Sequence, residues 1–568
     1  MGKSKNNNSQ TYLYCAGIMA VCLFSFFVNN QIIPADIMES RNLATAQEMV
    51  EYGNYLLPTM NGEPRLEKPP LPTWIAAGIE QIAPGNLVVQ RYATGFSAML
   101  MTLFLFLVVT RLTRNRGAGL VVALVLATTV NVILMGRTAT WDIYTHSFML
   151  GALYFLIIAL EEKGAQWKYF LLSGFFIGLS FLSKGPVSWY ALLLPFLISY
   201  ILVYRTGVIE IKWPNTGVSA SPRDNQPPIA EKKWAIALMI LVALVVSFWW
   251  YGYTYFFHQD FAVAIAQKES SSWLNHNVRP WYYYWQFAAE GGIWALFWIT
   301  ALVYFFLNKQ TIYQKEYTFS FIWFAVSLVA LSIIPEKKTR YLLPLLIPGA
   351  MVIGFYMYQM IAALKTKYEK VLFRINGMVI AIVLFTLPIV LYILFFRTNQ
   401  VSLFLFIAAT IGSWGLCAFI LQALYNRNGI RAASVFFGII LTMIMIASIY
   451  LIPIGSMFIN EERHSIGLLR ENKDVADLPF YYNDKEGLRV EFVYESNRRI
   501  LKINTDDNEA IEKALPFVLL SNEPIEQLLS GKKVIIEYLD TFDNNWKKKG
   551  NKRHNPDLVK EAAIIRAK

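Results

Sequence analysis

Apolar residues gather into long, nearly unbroken stretches separated by short polar ones, and this blocky pattern recurs from residue 11 to residue 455. Each stretch approaches the roughly 20 residues that an α-helix needs to cross a bilayer core. Thirteen spans are expected, over 11–33, 88–110, 117–136, 142–160, 167–182, 186–204, 234–256, 286–307, 317–335, 341–361, 371–396, 401–424 and 432–455. After about residue 456 the pattern changes. There "LRVEFVYE", "RRILKI", "FVLL" and "KKVIIEYL" read as strands, and "DNEAIEKAL" and "EPIEQLL" as short amphipathic helices. The expected architecture is a polytopic α-helical membrane region over 1–455, followed by a small α/β domain over 456–568. Within the first span-to-span loop, 34–87, "RNLATAQEMVEYG" and "PPLPTWIAAGIEQ" carry helical periodicity and are expected to lie along the membrane interface.

Composition agrees with this reading: of 568 residues, 55% are hydrophobic and only 16% charged, too few charges for a typical soluble globular chain. Lys3 and Lys5 precede the first span, which has no small-residue cleavage site at its end, so a retained signal anchor with a cytoplasmic N-terminus is expected. Short basic loops then fall on the cytoplasmic side: Arg111, Arg114 and Arg116, Lys163 and Lys168, Lys309 and Lys315, Lys365 to Arg374, and Arg427 with Arg431. An odd number of spans places the C-terminus outside. The same bias accounts for part of the formal charge of +12, so nucleic acid is not needed to explain it. Cys15, Cys22 and Cys417 all fall within spans, which leaves no disulfide for the exported segments. The proline-bearing stretch 206–233 reads as a cytoplasmic linker. The C-terminal domain carries no nucleophile triad, metal spacing or phosphate loop, and is expected to be structural or to dock an acceptor.

Candidate chemistry collects in the exported loops. Loop 34–87 holds Asp36, Glu39 and Arg41, then Glu67 and Lys68 in "NGEPRLEKPPLPTW". "GRTATWD" brings Arg137 and Asp142, "FLSKGP" brings Lys184, and "HNVRPWYYYW" brings His276 and an aromatic run from Trp281 through Tyr283. "PEKKTRYLLPLLIP" sets Lys337, Lys338, Arg340 and Tyr341 on the side where basic residues are disfavoured. Cations on that side point to an anionic ligand, a phosphate at the membrane surface. Each feature also has a bland reading. Glu39 and Arg41 suit a solvated turn, Asp142 a helix-dipole partner, His276 an ordinary loop histidine, Trp281 to Trp285 an interfacial belt, and Lys184 a snorkelling side chain. The case rests on their joint placement on one face.

In order and spacing, "ESRNLATAQEMVEYGNYLLPTMNGEPRLEKPPLPTW", "RTATWD", "GLSFLSKGP", "HNVRPWYYY" and "KKTRYLLPLLIP" resemble the bacterial lipid A 4-amino-4-deoxy-L-arabinose transferases. These group with the protein O-mannosyltransferases among polyprenyl-phosphate-sugar enzymes of the GT-C fold. The likeness covers residues 11 to about 360. It implies a GT-C fold with about thirteen membrane helices and an undecaprenyl-phosphate sugar donor, consumed at the outer face of the bacterial cytoplasmic membrane. The acceptor implied is lipid A or another envelope glycan or glycoprotein, the working form a monomer, and no nucleotide cofactor is involved. By position, the resemblance gives Arg41 and Lys68 to the donor phosphate, Glu39 and Asp142 to the site's acids, and Glu67 and His276 to a divalent metal ion. The exported loops add Lys184 and Arg340 as further cations for the donor phosphate, Asp36 as a further catalytic candidate, and Trp281, Tyr283 and Tyr341 as the lining for sugar or acceptor.

The chain also departs from that pattern. The relatives carry two adjacent acids before the arginine, the first regarded as catalytic, and Met38 stands in that place; Asn42 stands where an aromatic is usual. Asp36 or Glu39 is left to replace the missing acid. A phosphate acceptor needs no base, because a phosphate monoester is already largely ionised at neutral pH. Protein O-glycosylation with the same donor class is the alternative. A flippase or transporter fits less well, since the charges gather at one surface and not at the bilayer midplane.

Overall fold

The computed structural model describes residues 2–206, 228–308, 311–457, 459–460 and 462–568. Most of the 206–233 linker, and Lys309, lie outside the described residues. The chain divides into two compact units. One comprises Met1–Asn30, Glu67–Leu71 and Arg91–Pro453; the other comprises Gln31–Leu66, Pro72–Gln90 and Ile454–Lys568. The 31–90 loop is thereby shared: its Glu-Lys-Pro-Pro-Leu stretch belongs with the membrane helices and its remainder with the C-terminal domain.

Each expected span overlaps helix, the first only as far as Phe26, although fewer than the thirteen expected are long and apolar enough to count as spans among the described residues. Among the described residues nine helices are long and apolar enough to cross a bilayer, and eleven if each of two bent pairs counts as one span. The expected 167–182 and 186–204 correspond to Trp167–Lys184 and to the shorter stretch Trp189–Arg205. Leu343–Ala363 is buried along almost its whole length. Lys367–Leu391 and Leu403–Leu424 instead expose large apolar side chains such as Ile382, Phe385, Phe404 and Ile411, which are at ease only in lipid. Helices pack closely where small residues permit it. Gly174 and Gly178, one turn apart, seat Trp167–Lys184 on Lys233–Phe257: a Cβ on Gly174 would stand 2.4 Å from the Met239 carbonyl oxygen, and one on Gly178 2.4 Å from Val246 Cβ.

The bent pairs are Arg116–Ala127 with Val130–Gly136, turned by 70°, and Trp281–Glu290 with Gly292–Leu307, turned by 100°. Their breaks meet. Gly292 adopts φ +61, and a Cβ there would lie 2.1 Å from Val130 Cγ2. Trp294 Nε1 donates to Thr128 Oγ1 at 3.0 Å, and Asn131 Nδ2 donates to Glu290 Oε2 at 2.9 Å. These side-chain bonds pin one break to the other. Arg137, fully buried, satisfies backbone groups of the first helix, Gly2–Phe26: it donates to the Ser25 and Phe24 carbonyls at 2.7 and 2.9 Å, at the end where helical carbonyls lack partners.

The second unit contains the Ile37–Tyr52 helix, ended by Gly53 at φ 69, a small hairpin, the Leu71–Ile82 helix and the C-terminal domain. Strands β1 (Thr59–Met60) and β2 (Glu63–Pro64) pair antiparallel through Asn61 and Gly62, both at positive φ as a two-residue hairpin turn requires. The C-terminal sheet comprises β3 (Phe480–Asn483), β4 (Ile500–Ile503), β5 (Phe517–Ser521), β6 (Val534–Asp543) and β7 (Val559–Ala567), in the order β4-β3-β5-β7-β6. β3 runs parallel to β4 and β5, while β7 is antiparallel to β5 and β6. Ile503, Phe517, Leu519, Ala563 and Ile565 pack against Ile511, Ile525 and Leu529 of the short helices to form its core.

One expected strand is a helix: most of "LRVEFVYE" falls in the helix Val490–Ser496. Adjacent parallel strands cannot be joined by a hairpin, so the segment between β3 and β4 must cross over the sheet, and it does so as helix. Consecutive residues Glu491, Phe492, Val493 and Tyr494 are all buried, which an alternating half-buried strand would not show. β3 and β7 are strands that the apolar pattern did not reveal.

Candidate active site

Within the membrane unit, Asp142 is the first residue of the Asp142–Glu161 helix and Lys184 the last of Trp167–Lys184. A carboxylate at a helix start and an ammonium at a helix end each complement the local backbone dipole. The two side chains form an ion pair, Lys184 Nζ to Asp142 Oδ1, with side chains only 6% and 2% exposed. Arg340 acts electrostatically on both, and Lys68 on Lys184. Lys184 Nζ also lies 4.5 Å from the centre of the Tyr341 ring, and Lys338 Nζ approaches the same ring at 5.7 Å. Asp142, Lys184, Arg340, Tyr341 and Lys68, remote in sequence, are thus one electrostatic group.

The "HNVRPWYYY" and "PEKKTRY" segments are held together by their backbones. Lys337 N donates to the Asn277 carbonyl and Arg279 N to that of Pro335, both at 3.2 Å. Between them they line a pocket of about 510 Å³ with Arg279, Tyr283, Lys337, Lys338, Thr339 and Arg340, completed by Asn131, Leu134, Met135, Asn277 and Glu290. The meeting point of the bent helices therefore forms part of its wall. Four cations against one carboxylate make this lining strongly basic. Lys337 is buried, with its ammonium donating to the Ile334 carbonyl at 2.6 Å, and burial holds its pKa below the usual lysine value. Tyr283 shares a hydrogen bond with Thr339 at 3.2 Å.

Glu67 and Lys68 meet their charge opposites in reverse order on the helix Gln259–Asn275. Lys68 Nζ pairs with Glu269 Oε2 at 3.0 Å, and Lys268 Nζ with Glu67 Oε1 at 2.9 Å. His276 Nδ1 faces Glu336 Oε1 at 3.5 Å and the Asn277 amide at 3.1 Å, while Lys338 binds the same Glu336 oxygen at 2.6 Å. Glu67 and His276 are therefore each engaged elsewhere. Among the described residues no group of three or more His, Cys, Asp or Glu is placed to hold a metal ion.

The remaining expected residues take other places. Asp36 caps the Ile37–Tyr52 helix: its carboxylate accepts from the Met38 and Glu39 amides, both at 2.8 Å, and the Glu39 side chain accepts from the Asp36 amide at 3.4 Å. Both acids offered as replacements for Met38 are thus engaged in a capping box, and Glu39 is completely buried. Arg41, partly buried, projects from the same helix. Trp281 is 62% exposed in an aromatic group with Tyr282 and Trp285, as a belt residue would be, and is not among the pocket's lining residues. Sequence reasoning missed Arg279, Glu336, the Lys268–Glu269 dipeptide and His146. The last is fully buried one turn beyond Asp142, with no hydrogen bond to either ring nitrogen among the described residues. The signal for Lys268–Glu269 was present, because "EK" and "KE" are charge complements when they meet head to tail.

Comparison with known proteins bears on this arrangement. The profile of the dolichyl-phosphate-mannose-protein mannosyltransferase family matches residues 67–220, a range that contains Glu67, Lys68, Asp142 and Lys184. The undecaprenyl phosphate-alpha-4-amino-4-deoxy-L-arabinose arabinosyl transferase of Serratia proteamaculans is 24% identical over 376 residues, which are 64% of this chain and 63% of that one. The protein of the same name from Photorhabdus laumondii is 22% identical over 72% of each chain. The crystal structure of ArnT from Cupriavidus metallidurans bound to undecaprenyl phosphate superposes with a TM-score of 0.67 at 14% identity, over 98% of both chains. The apo form of that protein gives 0.66. The chain has the GT-C fold of that structure, and the resemblance read from its motifs holds.

Proposed function

We propose that this chain is a glycosyltransferase that moves a sugar from an undecaprenyl-phosphate-linked donor onto lipid A or a related envelope acceptor. The observation that carries the reading is the convergence of Lys184 and Arg340 on buried Asp142, with Lys68 acting on Lys184, beside a pocket lined by four cations. The names of the Serratia and Photorhabdus relatives, and the ligand of the Cupriavidus structure, support the donor class. The basic loops support a cytoplasmic N-terminus, with the site and the C-terminal domain on the outer face of the cytoplasmic membrane. The chain acts as a monomer.

In the transfer, an acceptor oxygen attacks the anomeric carbon while the bond from that carbon to the donor phosphate oxygen breaks, and its electron pair leaves with undecaprenyl phosphate. Negative charge grows on the phosphate, and cations already in place at a low-dielectric boundary stabilise it more than water would. Lys68 is followed by Pro69 and Pro70, whose rings restrict the backbone and help hold the lysine in position. The resemblance also gives Arg41 to the donor phosphate. With a phosphate acceptor no proton need move. With a hydroxyl acceptor the proton passes to a carboxylate; Asp142 Oδ2, to which no described group donates a hydrogen bond, suits that role better than the capped Asp36 and Glu39.

The second reading, transfer to protein, is favoured by the name of the matching family profile. Mass spectra of lipid A decide between them, from cells lacking this chain and complemented with wild type or Lys68→Ala. A pentose- or hexose-sized increment that returns only with wild type is expected. Identical spectra in all three strains, together with a sugar missing from exported glycoproteins, would replace lipid A by protein as the acceptor.

A further inference from the structure

The Glu48 carboxylate lies two turns beyond Arg41 on the Ile37–Tyr52 helix and is almost fully buried. It accepts hydrogen bonds from the Thr59 hydroxyl at 2.6 Å, from the amide of Asn61, and from that of Gly62 at 3.2 Å. It also accepts from Nε and Nη2 of Arg499 at 3.1 and 2.9 Å. The Arg499 guanidinium stacks on Tyr52 of the same helix, 3.5 Å from the ring centre, and Nη2 reaches the Thr59 hydroxyl at 3.2 Å. Asn61, at the hairpin tip, uses its side-chain amide as an extra strand residue. Its Nδ2 donates to the Ile500 carbonyl and its Oδ1 accepts from the Ile500 amide, both at 2.7 Å. Ile500 opens β4, the edge strand of the C-terminal sheet, so the hairpin tip occupies backbone groups that an edge would otherwise leave unpaired.

We infer that the C-terminal α/β domain is a clamp on the first long loop, with Arg499 as a positioning residue that acts through Glu48 to fix the Ile37–Tyr52 helix and hence Arg41 and Glu39. The catalytic half of this statement rests on the proposed function; the clamp itself rests on the contacts alone. A rise of 1.5 Å per residue puts Glu48 about 10 Å along the helix axis from Arg41, so a grip on one end sets the position and rotation of the other. Glu48 satisfies the hairpin turn and Arg499 together, which makes helix, hairpin and sheet edge a single polar joint. A planar guanidinium that stacks on Tyr52 and aims two donors at one Glu48 oxygen suits that joint, and an ammonium cannot replace it.

The test uses the full-length protein in detergent or nanodiscs, as wild type, Arg499→Ala, Arg499→Lys and Asn61→Ala. Hydrogen exchange is followed across residues 36–66, and sugar transfer from an undecaprenyl-phosphate-linked aminoarabinose donor is followed by mass spectrometry. Expected is faster exchange in the 36–66 segment with unchanged protection of β3 and β5, which shows that the domain core survives. The clamp also predicts a fall in kcat on the order of tenfold or more, not rescued by Arg499→Lys. Asn61→Ala loosens the same segment through a different contact. Wild-type exchange across 36–66 in Arg499→Ala would overturn the clamp, and faster exchange with unchanged kcat would overturn the positioning role. A wild-type protein that transfers no sugar counts against the functional reading alone, and the exchange pattern still decides the clamp.

Discussion

Glu269→Gln should tighten binding of the donor. Lys68 is paired with Glu269 at 3.0 Å, with side chains 25% and 33% exposed, so a donor phosphate that recruits Lys68 must first displace this carboxylate. Ion pairs of that exposure contribute about 0.2–1 kcal/mol. The free energy now spent on separating the pair would appear as affinity, a gain of about 1.4- to 5-fold in KM for the donor. The gain should reach KM and leave kcat nearly unchanged, because Lys68 meets the phosphate in both variants once the donor is bound. It should shrink as salt is raised from 50 to 500 mM, since a partly exposed pair is screened. Initial rates over a range of undecaprenyl-phosphate-linked donor concentrations, with Lys68→Ala as the comparison, provide the assay. An unchanged or higher KM in Glu269→Gln would refute the idea that the pair competes with the donor. A lower kcat at unchanged KM would make Glu269 part of the chemistry.

Asp142→Asn leaves the Lys184 ammonium buried without its counter-charge, which costs about 3–5 kcal/mol where a buried pair loses one member; a lower thermal unfolding midpoint should show it. Lys184→Met on that background should recover most of the midpoint and none of the sugar transfer, and recovery of both would remove the pair from the mechanism. In the C-terminal domain, burial pushes the Glu486 carboxyl up, but Lys560, the Ser521 hydroxyl and the Asn522 amide together hold its pKa below the usual carboxylate range. A folded pKa below the unfolded value of about 4.3 means that this contact stabilises the domain above that pH and is lost as the pH falls through the lowered value. Glu486→Gln should therefore flatten the acid limb of domain stability, followed by hydrogen exchange at β3 and β5. An acid limb identical to wild type would assign it to other carboxylates.

The membrane helices were legible because their signal is additive: each stretch of about 20 apolar residues declares itself without reference to any partner. The bends were not legible, because the 117–136 and 286–307 stretches are as apolar as the straight ones. What turns them is a local contact, Gly292 against Val130 and Trp294 on Thr128, which no linear window contains. In the C-terminal domain "FYYN" and "VKEAAIIRA" lacked clean alternation, and both strands bury residues in succession; a strand covered on both faces need not show one wet face. The reading of "LRVEFVYE" failed for the opposite reason. It alternates well, but crossover topology overrides local pattern. At the site, residue types and sides were readable from "EKPP", "SKGP" and "KKTR", and the structure brings Lys68, Lys184 and Arg340 together as that reading requires. Asp36 and Glu39 were read by position as acids in need of a task. Their spacing of three, just before an apolar helix, is equally the spacing of a capping box, and the helix uses it so.

The carboxylates around these cations set an order in which an anionic ligand can engage them. Lys184 is held by Asp142 with both side chains almost completely buried, Lys338 by Glu336 with the carboxylate 9% exposed, and Lys68 by Glu269 with both partners wetter. The net contribution of an ion pair to binding or stability is smallest, and its exchange for another anion easiest, where water already solvates both partners. Lys68 is therefore the first cation a phosphate can recruit, and Lys184 the last to surrender its carboxylate. Asp142 would remain on Lys184 while the donor docks, so the buried pair acts as a fixed dipole of the site and not as a phosphate clamp. Lys184→Arg, which keeps the charge but alters its reach, should then change kcat more than donor KM. Lys68→Arg should change KM at least as much as kcat, and the reverse pattern would exchange the two roles.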